Sequence, residues 1–404
     1  MNEQELRRLL TVSVEDVRPS HPAVAGWERA RRTRRTRRAV GAVALAVALI
    51  GGGTVAALRP PAERPPDLSV APDLPVAPER SVAPTVEPSH APPVVRAPAE
   101  LTFPPDPLAR LVDPATVPLS ARPVQRALAL FQPVDQEHRA NGPIRVLGDD
   151  GVVRSLDVVT PAPTRDEGGN EALPVKPGVL SPDGRSAAFA QTDELIMVDL
   201  TRATVRRIPL QGYLELVVWA SDRVLVGGDD RTYAVDRVTG AASEVDVSAW
   251  DLVAPDPAAG REAALVEVGG ERGGLMLRSR TREGTIRSEQ RITGSALPSP
   301  YQVNEFYGRG WLHGERLARA AWITSGEIDG AEGVAVLDAR TGAVAHVLDL
   351  GRDRWKGCCE VLGWDNEGAV LLRLQPAGVA RWHPETGEIT GVVRELPGVV
   401  ALAG

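Results

Sequence analysis

Cysteine, lysine, histidine and aromatic residues are all scarce in this chain of 404 residues. It contains two cysteines, two lysines, six histidines and only four residues each of Phe and Tyr. Two cysteines are too few for a disulfide framework or a four-cysteine zinc site. No histidine stands two or four residues from another, so the local spacing of a zinc site is also missing. The sequence therefore predicts no metal ion and no cofactor.

Motifs of catalysis are missing as well. No Gly-x-Ser-x-Gly elbow occurs, and no glycine cluster has the strand-to-helix context of a phosphate-binding loop. The segments Asp149-Asp150-Gly151 and Gly228-Asp229-Asp230 lack the ligand spacing of calcium loops. We therefore predict no catalytic residue, although paired carboxylates from separate repeats would suit glycoside hydrolysis. A cluster of three or more polar or acidic side chains facing the mouth of a channel would be the structural sign of such an enzyme.

The only two cysteines, Cys358 and Cys359, are adjacent. Neighbouring Cα atoms lie ~3.8 Å apart, which is short for a disulfide, so a bridge between them stores strain. Two states stay open. A vicinal disulfide would form a rigid turn before the strand at 361–364, whereas two reduced thiols in a strand would point to opposite faces.

A cluster of arginines followed by an uncharged apolar stretch predicts a membrane anchor. Residues 39–58 carry no charge, and twenty apolar residues in a helix rise ~30 Å, the thickness of a bilayer core. Six arginines precede this stretch and mark the cytoplasmic side: Arg31, Arg32, Arg34, Arg35, Arg37 and Arg38. We expect residues 1–38 inside the cell and the chain from Arg59 onward outside. An export signal, cleaved or of the twin-arginine type, is the alternative.

The charge distribution agrees with this topology. Residues 1–38 have a net charge of +5, whereas the remaining chain has a net charge of −12. A basic tail suits an anionic inner membrane surface, and an acidic outer domain stays soluble. The arginine run lacks the aromatic or helical context of a nucleic-acid-binding arm, so we predict no nucleic-acid partner.

Proline dominates residues 59–118, where it occupies 17 of 60 positions. Proline removes backbone donors and fixes φ, so this segment is predicted to be an extracytoplasmic linker without helix or ladder. It would act either as a stalk through a cell-wall layer or as a disordered spacer. The folded domain is then expected over 119–404.

Two recurring turns organise that domain. The first is an Asp followed by two loose positions and Thr-Gly or a close variant, and each copy lies between two apolar, β-branched runs. Its copies are Val198–Ala203, Val235–Gly240, Leu337–Gly342 and Trp382–Gly387, with a weaker one at Ser279–Gly284. The Asp can accept backbone N–H bonds, and Gly takes positive φ at little cost, which predicts tight hairpins.

The second turn lies one hairpin upstream, as in Leu180-Ser181-Pro182-Asp183-Gly184 and Trp364-Asp365-Asn366-Glu367-Gly368. Together the two turns resemble the blades of WD40-like and TolB-like β-propellers, over about 70% of the chain. The Gly-His and Trp-Asp signature of true WD40 repeats is missing. The resemblance implies an all-β propeller, which in this chain follows the predicted transmembrane helix and Pro-rich linker.

Repeat spacing predicts six blades. One inter-repeat interval is long, which suggests an insertion at 293–310 and a loop at 324–332; seven blades would result if 293–322 held an extra one. The C-terminal strand 398–404 is expected to close the ring beside three N-terminal strands, because an open ring would expose two sheet edges. Seven of the eight tryptophans lie in this domain, where they either pack between blades or form a carbohydrate platform.

We therefore expect a membrane-anchored, extracytoplasmic binding module without catalysis, whose partner is a protein, a peptide or a cell-wall glycan. The alternative is a transmembrane regulator, since Leu6, Leu9 and Leu10 form a helical stripe inside the cell. The arrangement of helix, arginine run, apolar span and Pro-rich exterior resembles actinobacterial single-pass proteins, some of which regulate sigma factors. An extracellular hydrolase or lyase on the same scaffold is the third hypothesis.

Overall fold

A computed structural model describes residues 93–114, 117–228, 230–256, 262–268, 274–281, 285–293, 297–325, 328–351, 360–374 and 378–403. One 3-10 helix, η1, spans Pro107–Val112. The strands, in chain order, are β1 (Val94–Arg96), β2 (Val117–Pro118), β3 (Ala127–Pro133), β4 (Arg145–Gly148), β5 (Val153–Ser155), β6 (Thr164–Arg165), β7 (Glu171–Ala172), β8 (Ser186–Asp199), β9 (Thr204–Tyr213), β10 (Leu216–Trp219), β11 (Arg223–Gly227), β12 (Thr232–Asp236), β13 (Ala242–Val245), β14 (Leu252–Val253), β15 (Glu262–Val268), β16 (Gly274–Arg280), β17 (Ile286–Arg291), β18 (Gln302–His313), β19 (Arg316–Ser325), β20 (Ile328–Asp338), β21 (Val344–Gly351), β22 (Glu360–Trp364), β23 (Val370–Leu374), β24 (Gly378–Trp382), β25 (Ile389–Val393) and β26 (Gly398–Leu402).

These strands form small sheets that follow chain order. Three sheets have four strands each, namely β10 to β13, β14 to β17 and β22 to β25, and all their neighbours are antiparallel. Two five-stranded sheets have the orders β1-β21-β20-β19-β18 and β2-β5-β4-β3-β26. First strands of successive sheets lie side by side, β14 by β18, β18 by β22 and β22 by β26. Sheets that extend outward from neighbouring first strands are arranged as propeller blades, so the fold is all-β and propeller-like.

The hydrophobic core lies between neighbouring sheets. One cluster joins the sheets of β20 and β23 through Val336 and Val370, both fully buried. Another joins the sheets of β23 and β3 through Leu371 and Phe131. Because each sheet buries both faces against its neighbours, its strands are apolar in continuous runs such as Val224-Leu225-Val226.

The predicted hairpin chemistry is confirmed. The carboxylate of Asp236 accepts the backbone N–H groups of Val238 and Thr239 at 3.0 and 2.7 Å. Gly240, which ends this turn, has a φ of +73°, where a side chain would be strained. The same bonds from carboxylate to backbone recur at Asp199 and Asp338.

Ring closure by the C-terminal strand is also confirmed. Strand β26 pairs antiparallel with β3, and Val400 stands opposite Phe131. Strands β3, β4 and β5 continue the same sheet. The C-terminal strand β26 is thus part of the first sheet and covers the edge of β3.

The number of blades differs from the predicted six. Besides the five sheets of four or five strands, the described residues form only the pairs β6–β7 and β8–β9. Strand β8 has 14 residues and would span ~45 Å if straight. However, the N–H of Leu200 donates to the carbonyl of Arg185 at 2.9 Å, so β8 folds back on itself. The reversal lies near Asp193, whose φ is +62°, and one folded strand here takes the place of two.

No seventh sheet arises from residues 293–322 among those described. This segment contributes β18 and most of β19, which join β20 and β21 in one sheet. The insertion expected at 293–310 is a long strand from Gln302 onward, and the loop expected at 324–332 was wrong in large part, since β20 begins at Ile328. Bulges between Tyr307 and Trp311 let the long strands absorb the extra residues.

Residues 93–114 and 117–118, assigned to the linker from their proline content, form elements that pack on the propeller. We call this segment the strap. Strand β1 pairs in parallel with β21, and β2 pairs in parallel with β5. Between them, the carbonyl of Thr102 accepts the N–H of Gly391 at 2.7 Å, and η1 packs near β3, β4 and β25. Strand formation is allowed because Val94–Arg96 contains no proline, and proline is well tolerated at the first position of η1.

No helix in the part of the chain that the structure describes is long and apolar enough to cross a membrane. The six arginines at 31–38, the apolar stretch 39–58 and the linker up to residue 92 lie outside the described residues. The topology therefore stays a prediction.

Candidate ligand-binding site

Charged side chains meet where several first strands begin. Glu215 directly precedes β10, and Glu360 is the first residue of β22. Lys176 precedes the Val179–Leu180 segment, which lies beside β8. Arg309 lies in β18 just before Trp311, which forms a parallel bridge with Ala254 after β14. Because the first strands are neighbours, their starts lie around one end of the channel between them. We call Lys176, Glu215, Arg309, Glu360 and Arg373 the mouth cluster.

Arg309 connects three sheets at this end. Its Nη1 donates to the carbonyl of Pro177 at 2.8 Å and to the carbonyl of Val217 at 2.5 Å. These acceptors are 132 and 92 residues away in the chain, so a single side chain crosses the channel. Gly178 makes room for it, because a Cβ there would lie 2.1 Å from Arg309 Nη1. Burial lowers the pKa of Arg309 to about 10, with Glu360 opposing the shift, and the guanidinium therefore stays protonated at neutral pH.

Lys176 and Glu215 form an ion pair beside Arg309. Lys176 Nζ lies 3.2 Å from Glu215 Oε2 and 3.0 Å from Thr164 Oγ1. The side chains keep only 18% and 11% of their surface exposed. Burial lowers the pKa of Lys176, whereas the charge of Glu215 opposes the shift. Thr164 belongs to β6, so the β6–β7 hairpin is tied to the mouth cluster.

Glu360 and Arg373 stand opposite each other on β22 and β23. Burial raises the pKa of Glu360, and the cations Arg373, Arg309 and Lys176 oppose that shift. Both side chains lie deep in the domain but keep partial exposure to solvent. Side chains that lie inside the domain and are still partly exposed to solvent are expected along the wall of a narrow channel.

A cavity of about 170 Å³ lies beside the mouth cluster and shares Glu215 with it. Its other lining residues are Asp166, Glu167, Gly212, Tyr213, Asp230 and Arg231. Four carboxylates against one guanidinium make this cavity acidic, and the ring of Tyr213 is 44% exposed there.

The chemistry of the mouth cluster is electrostatic. Three cations and two carboxylates give it a net charge of +1, and the five side chains include no hydroxyl or thiol nucleophile. Such groups can hold and orient a charged ligand. Within the described ranges, no group of three or more His, Cys, Asp or Glu side chains could hold a metal ion.

The residues singled out from the sequence lie elsewhere. Cys358, Cys359 and Trp355 fall outside the described residues, so the disulfide prediction stays open. The carboxylate of Asp150, considered for calcium, instead binds the buried guanidinium of Arg154 at 2.8 Å. His383 stands where the other turn copies have Asp, and its carbonyl accepts the N–H of Gly387.

The tryptophans confirm the packing hypothesis where they are most buried. Trp219 Nε1 donates to the carbonyl of Val179, and Trp364 Nε1 donates to the carbonyl of Trp311, in each case across two sheets. Trp382 is completely buried. Trp322 is 40% exposed and is the candidate for a carbohydrate platform.

Sequence reasoning missed the mouth cluster because its members are far apart in the chain. One signal was available. Glu215 and Glu360 each place a charge at or just before the second strand after a repeat turn, which is the first strand of the next sheet. Lys176 is one of only two lysines. The pairing of these charges depends on sheet order, which the sequence does not specify.

No protein-family model matches the sequence, and no curated protein matches it either. Among solved structures, the chain is similar to TolB from Acinetobacter baumannii at 13% identity and a TM-score of 0.47, over 69% of this chain and 66% of TolB. It is similar to BamB from Moraxella catarrhalis at 16% identity and a TM-score of 0.31, over 64% of this chain and 77% of BamB. A chain of a mitotic checkpoint complex matches at 14% identity and a TM-score of 0.39, over 80% of this chain and 88% of that one. The propeller-like fold itself follows from the strand pairing described above.

Proposed function

We propose that this chain is a membrane-anchored, extracytoplasmic β-propeller that works as a non-catalytic binding module. The membrane anchor is residues 39–58, with the N-terminus in the cytoplasm, and the ligand is a protein, a peptide or a cell-wall glycan. One observation carries the binding role. Charged side chains from several sheets converge at one end of the channel, beside an acidic cavity. Loops around a propeller channel are a common surface for recognition.

Photo-crosslinking in intact cells tests the binding role. A photoreactive amino acid at Tyr213, on the cavity, is compared with one at Val238, which is 85% exposed. Val238 follows β12 at Asp236, and Asp236 pairs with Arg223 at the end of the sheet far from Glu215. We expect a discrete adduct from position 213 and none from position 238. Identical adducts, or none, would contradict binding at the channel mouth.

Labelling of a cysteine introduced at Val238 tests the topology. In a background with Cys358 and Cys359 changed to Ser, a membrane-impermeant maleimide should label the Val238→Cys variant in intact cells. A cysteine introduced at Thr11 in the same background, on the cytoplasmic side, should react only after lysis. The reverse pattern would show that the arginine cluster does not set the orientation.

The regulator hypothesis depends on residues 1–38. If the segment binds a transcription or signalling factor, a pull-down with it should enrich one cytoplasmic protein, and a variant with Leu6, Leu9 and Leu10 changed to Ser should lose that protein. A pull-down without such enrichment would exclude this role.

The enzyme hypothesis retains one supporting observation, since the mouth cluster places two carboxylates, Glu215 and Glu360, at the channel. Burial raises the pKa of Glu360, which suits a proton donor, while Glu215 is paired with Lys176. Hydrolysis of cell-wall glycan fragments by the native chain, with loss of turnover in Glu360→Gln, would establish catalysis.

A further inference from the structure

We infer that the mouth cluster binds a carboxylate group, the C-terminal end of a peptide chain, with Arg309 as its main hydrogen-bond donor. This inference rests on the proposed function and names the ligand class of the same site.

The first argument is the donor capacity of Arg309. A guanidinium has five N–H donors in a rigid planar fork. The hydrogen bonds from Nη1 to the carbonyls of Pro177 and Val217 use two of them. For the donors on Nε and Nη2, the described residues provide no hydrogen-bond acceptor. Nε and Nη2 together match the two oxygens of a carboxylate.

The second argument is that Arg309 is held in place. Two backbone carbonyls on other sheets fix its Nη1, and Gly178 lies against the guanidinium without a side chain. A donor group fixed in this way loses little conformational entropy when a ligand binds. Its orientation is therefore set before the ligand arrives.

The third argument is charge. With both carboxylates charged, the cluster has a net charge of +1, and one monovalent anion neutralises it. A phosphate dianion would exceed that charge and would meet repulsion from Glu215 and Glu360. Burial of the cations also makes a close anion more favourable than it would be in water. A carboxylate therefore fits the cluster better than a phosphate does.

The fourth argument is width. The side chain of Arg309 crosses the channel to the carbonyls of Pro177 and Val217, so the space left beside it at this level is narrow. An extended peptide end is narrower than a sugar ring with its substituents. The geometry thus favours a peptide terminus over an acidic glycan.

The test measures binding to the full chain in detergent at constant ionic strength. The probes are acetyl-trialanine with a free carboxylate and the same peptide with a C-terminal amide, and glucuronate represents an acidic sugar. We expect the acid to bind and to raise the unfolding temperature, and the amide to bind at least roughly tenfold more weakly, because a charge-assisted bidentate pair is lost. Equal binding of acid and amide, or preferential binding of glucuronate, would overturn the inference.

Two variants sharpen the result. Glu360→Gln removes a negative charge near Arg309 without touching the donor, and it should tighten binding of the acid by roughly tenfold. Arg309→Gln should abolish that binding, while the control Arg207→Gln, at an exposed surface pair with Glu194, should leave it unchanged. If Arg309→Gln fails to fold, binding of the acid peptide to Glu360→Gln still tests the inference. No tightening in Glu360→Gln would refute the electrostatic argument.

The outcomes also separate this inference from the proposed function. Crosslinking at position 213 in cells depends on any partner at the mouth, whereas the peptide comparison depends on a carboxylate. A specific adduct together with equal binding of acid and amide would retain the binding module and reject the peptide terminus as its ligand.

Discussion

Replacing Leu111 by alanine should destabilise the propeller although the residue lies in a proline-rich segment. Leu111 is in η1 and is completely buried, in a cluster that includes Leu147, Val153 and Leu396. A free spacer would place this side chain in water, where its truncation would have almost no effect. The substitution therefore distinguishes a docked strap from a linker.

The magnitude follows from burial. Truncating a fully buried leucine removes its transfer free energy and leaves a cavity, which together cost about 3 to 5 kcal/mol. For a large domain, each kcal/mol lowers the unfolding temperature by ~2 °C. We expect Leu111→Ala to lower the midpoint by about 5 to 10 °C.

The neighbouring residue provides a matched control. Val112 belongs to the same helix but is 46% exposed, so Val112→Ala should change stability by less than about 0.5 kcal/mol. Thermal unfolding of the full chain in detergent, followed by tryptophan fluorescence, measures both variants under identical conditions. Equal midpoints for the two variants would refute the docking of η1 against the propeller.

Two further predictions concern charge and backbone conformation. The side-chain hydrogen bond from Arg154 lowers the pKa of Asp150 to about 2, below its unfolded value of ~3.9. The stability that this pair contributes to the fold is therefore present above pH ~4 and is lost as the pH falls toward 2. In an acid titration of stability, Asp150→Asn should start less stable at pH 7 and lose less between pH 4 and 2; parallel curves would contradict the pairing. Gly342 and Gly351 both have a φ of +75°, but only at Gly342 would a Cβ meet backbone, 2.2 Å from the carbonyl oxygen of Arg291. Gly351→Ala should cost about 1 to 2 kcal/mol and Gly342→Ala clearly more in urea unfolding, and equal losses would show that the contact is absent.

Several features of the fold could be predicted from the sequence because they depend on local chemistry. The Asp-x-x-Thr-Gly turns form hairpins since the Asp and the Gly act within a few residues, as at Asp236 and Gly240. Closure of the ring by the C-terminal strand followed from counting strands, and β26 does pair with β3. Burial of Trp219 and Trp364 followed from the size of the side chain.

Other features depend on the tertiary structure. The same proline content is compatible with a free linker and with the strap, and only the exposed edges of β21 and β5 decide that Val94–Arg96 and Val117–Pro118 pair with them. Strand β8 reverses direction near Asp193, and this changes the number of sheets. No repeat in the sequence marks the reversal.

By itself, the sequence determined the repeats, the turns and the closure of an all-β chain, because each of these depends on residues close together or at the chain ends. The tertiary structure decided which charged side chains lie together. Arg309 acquires its role from carbonyls 132 and 92 residues away, and Lys176 from a carboxylate 39 residues away. Charges so distant in the chain become neighbours only when the first strands of several sheets assemble around one channel, and desolvation then makes their pairing specific.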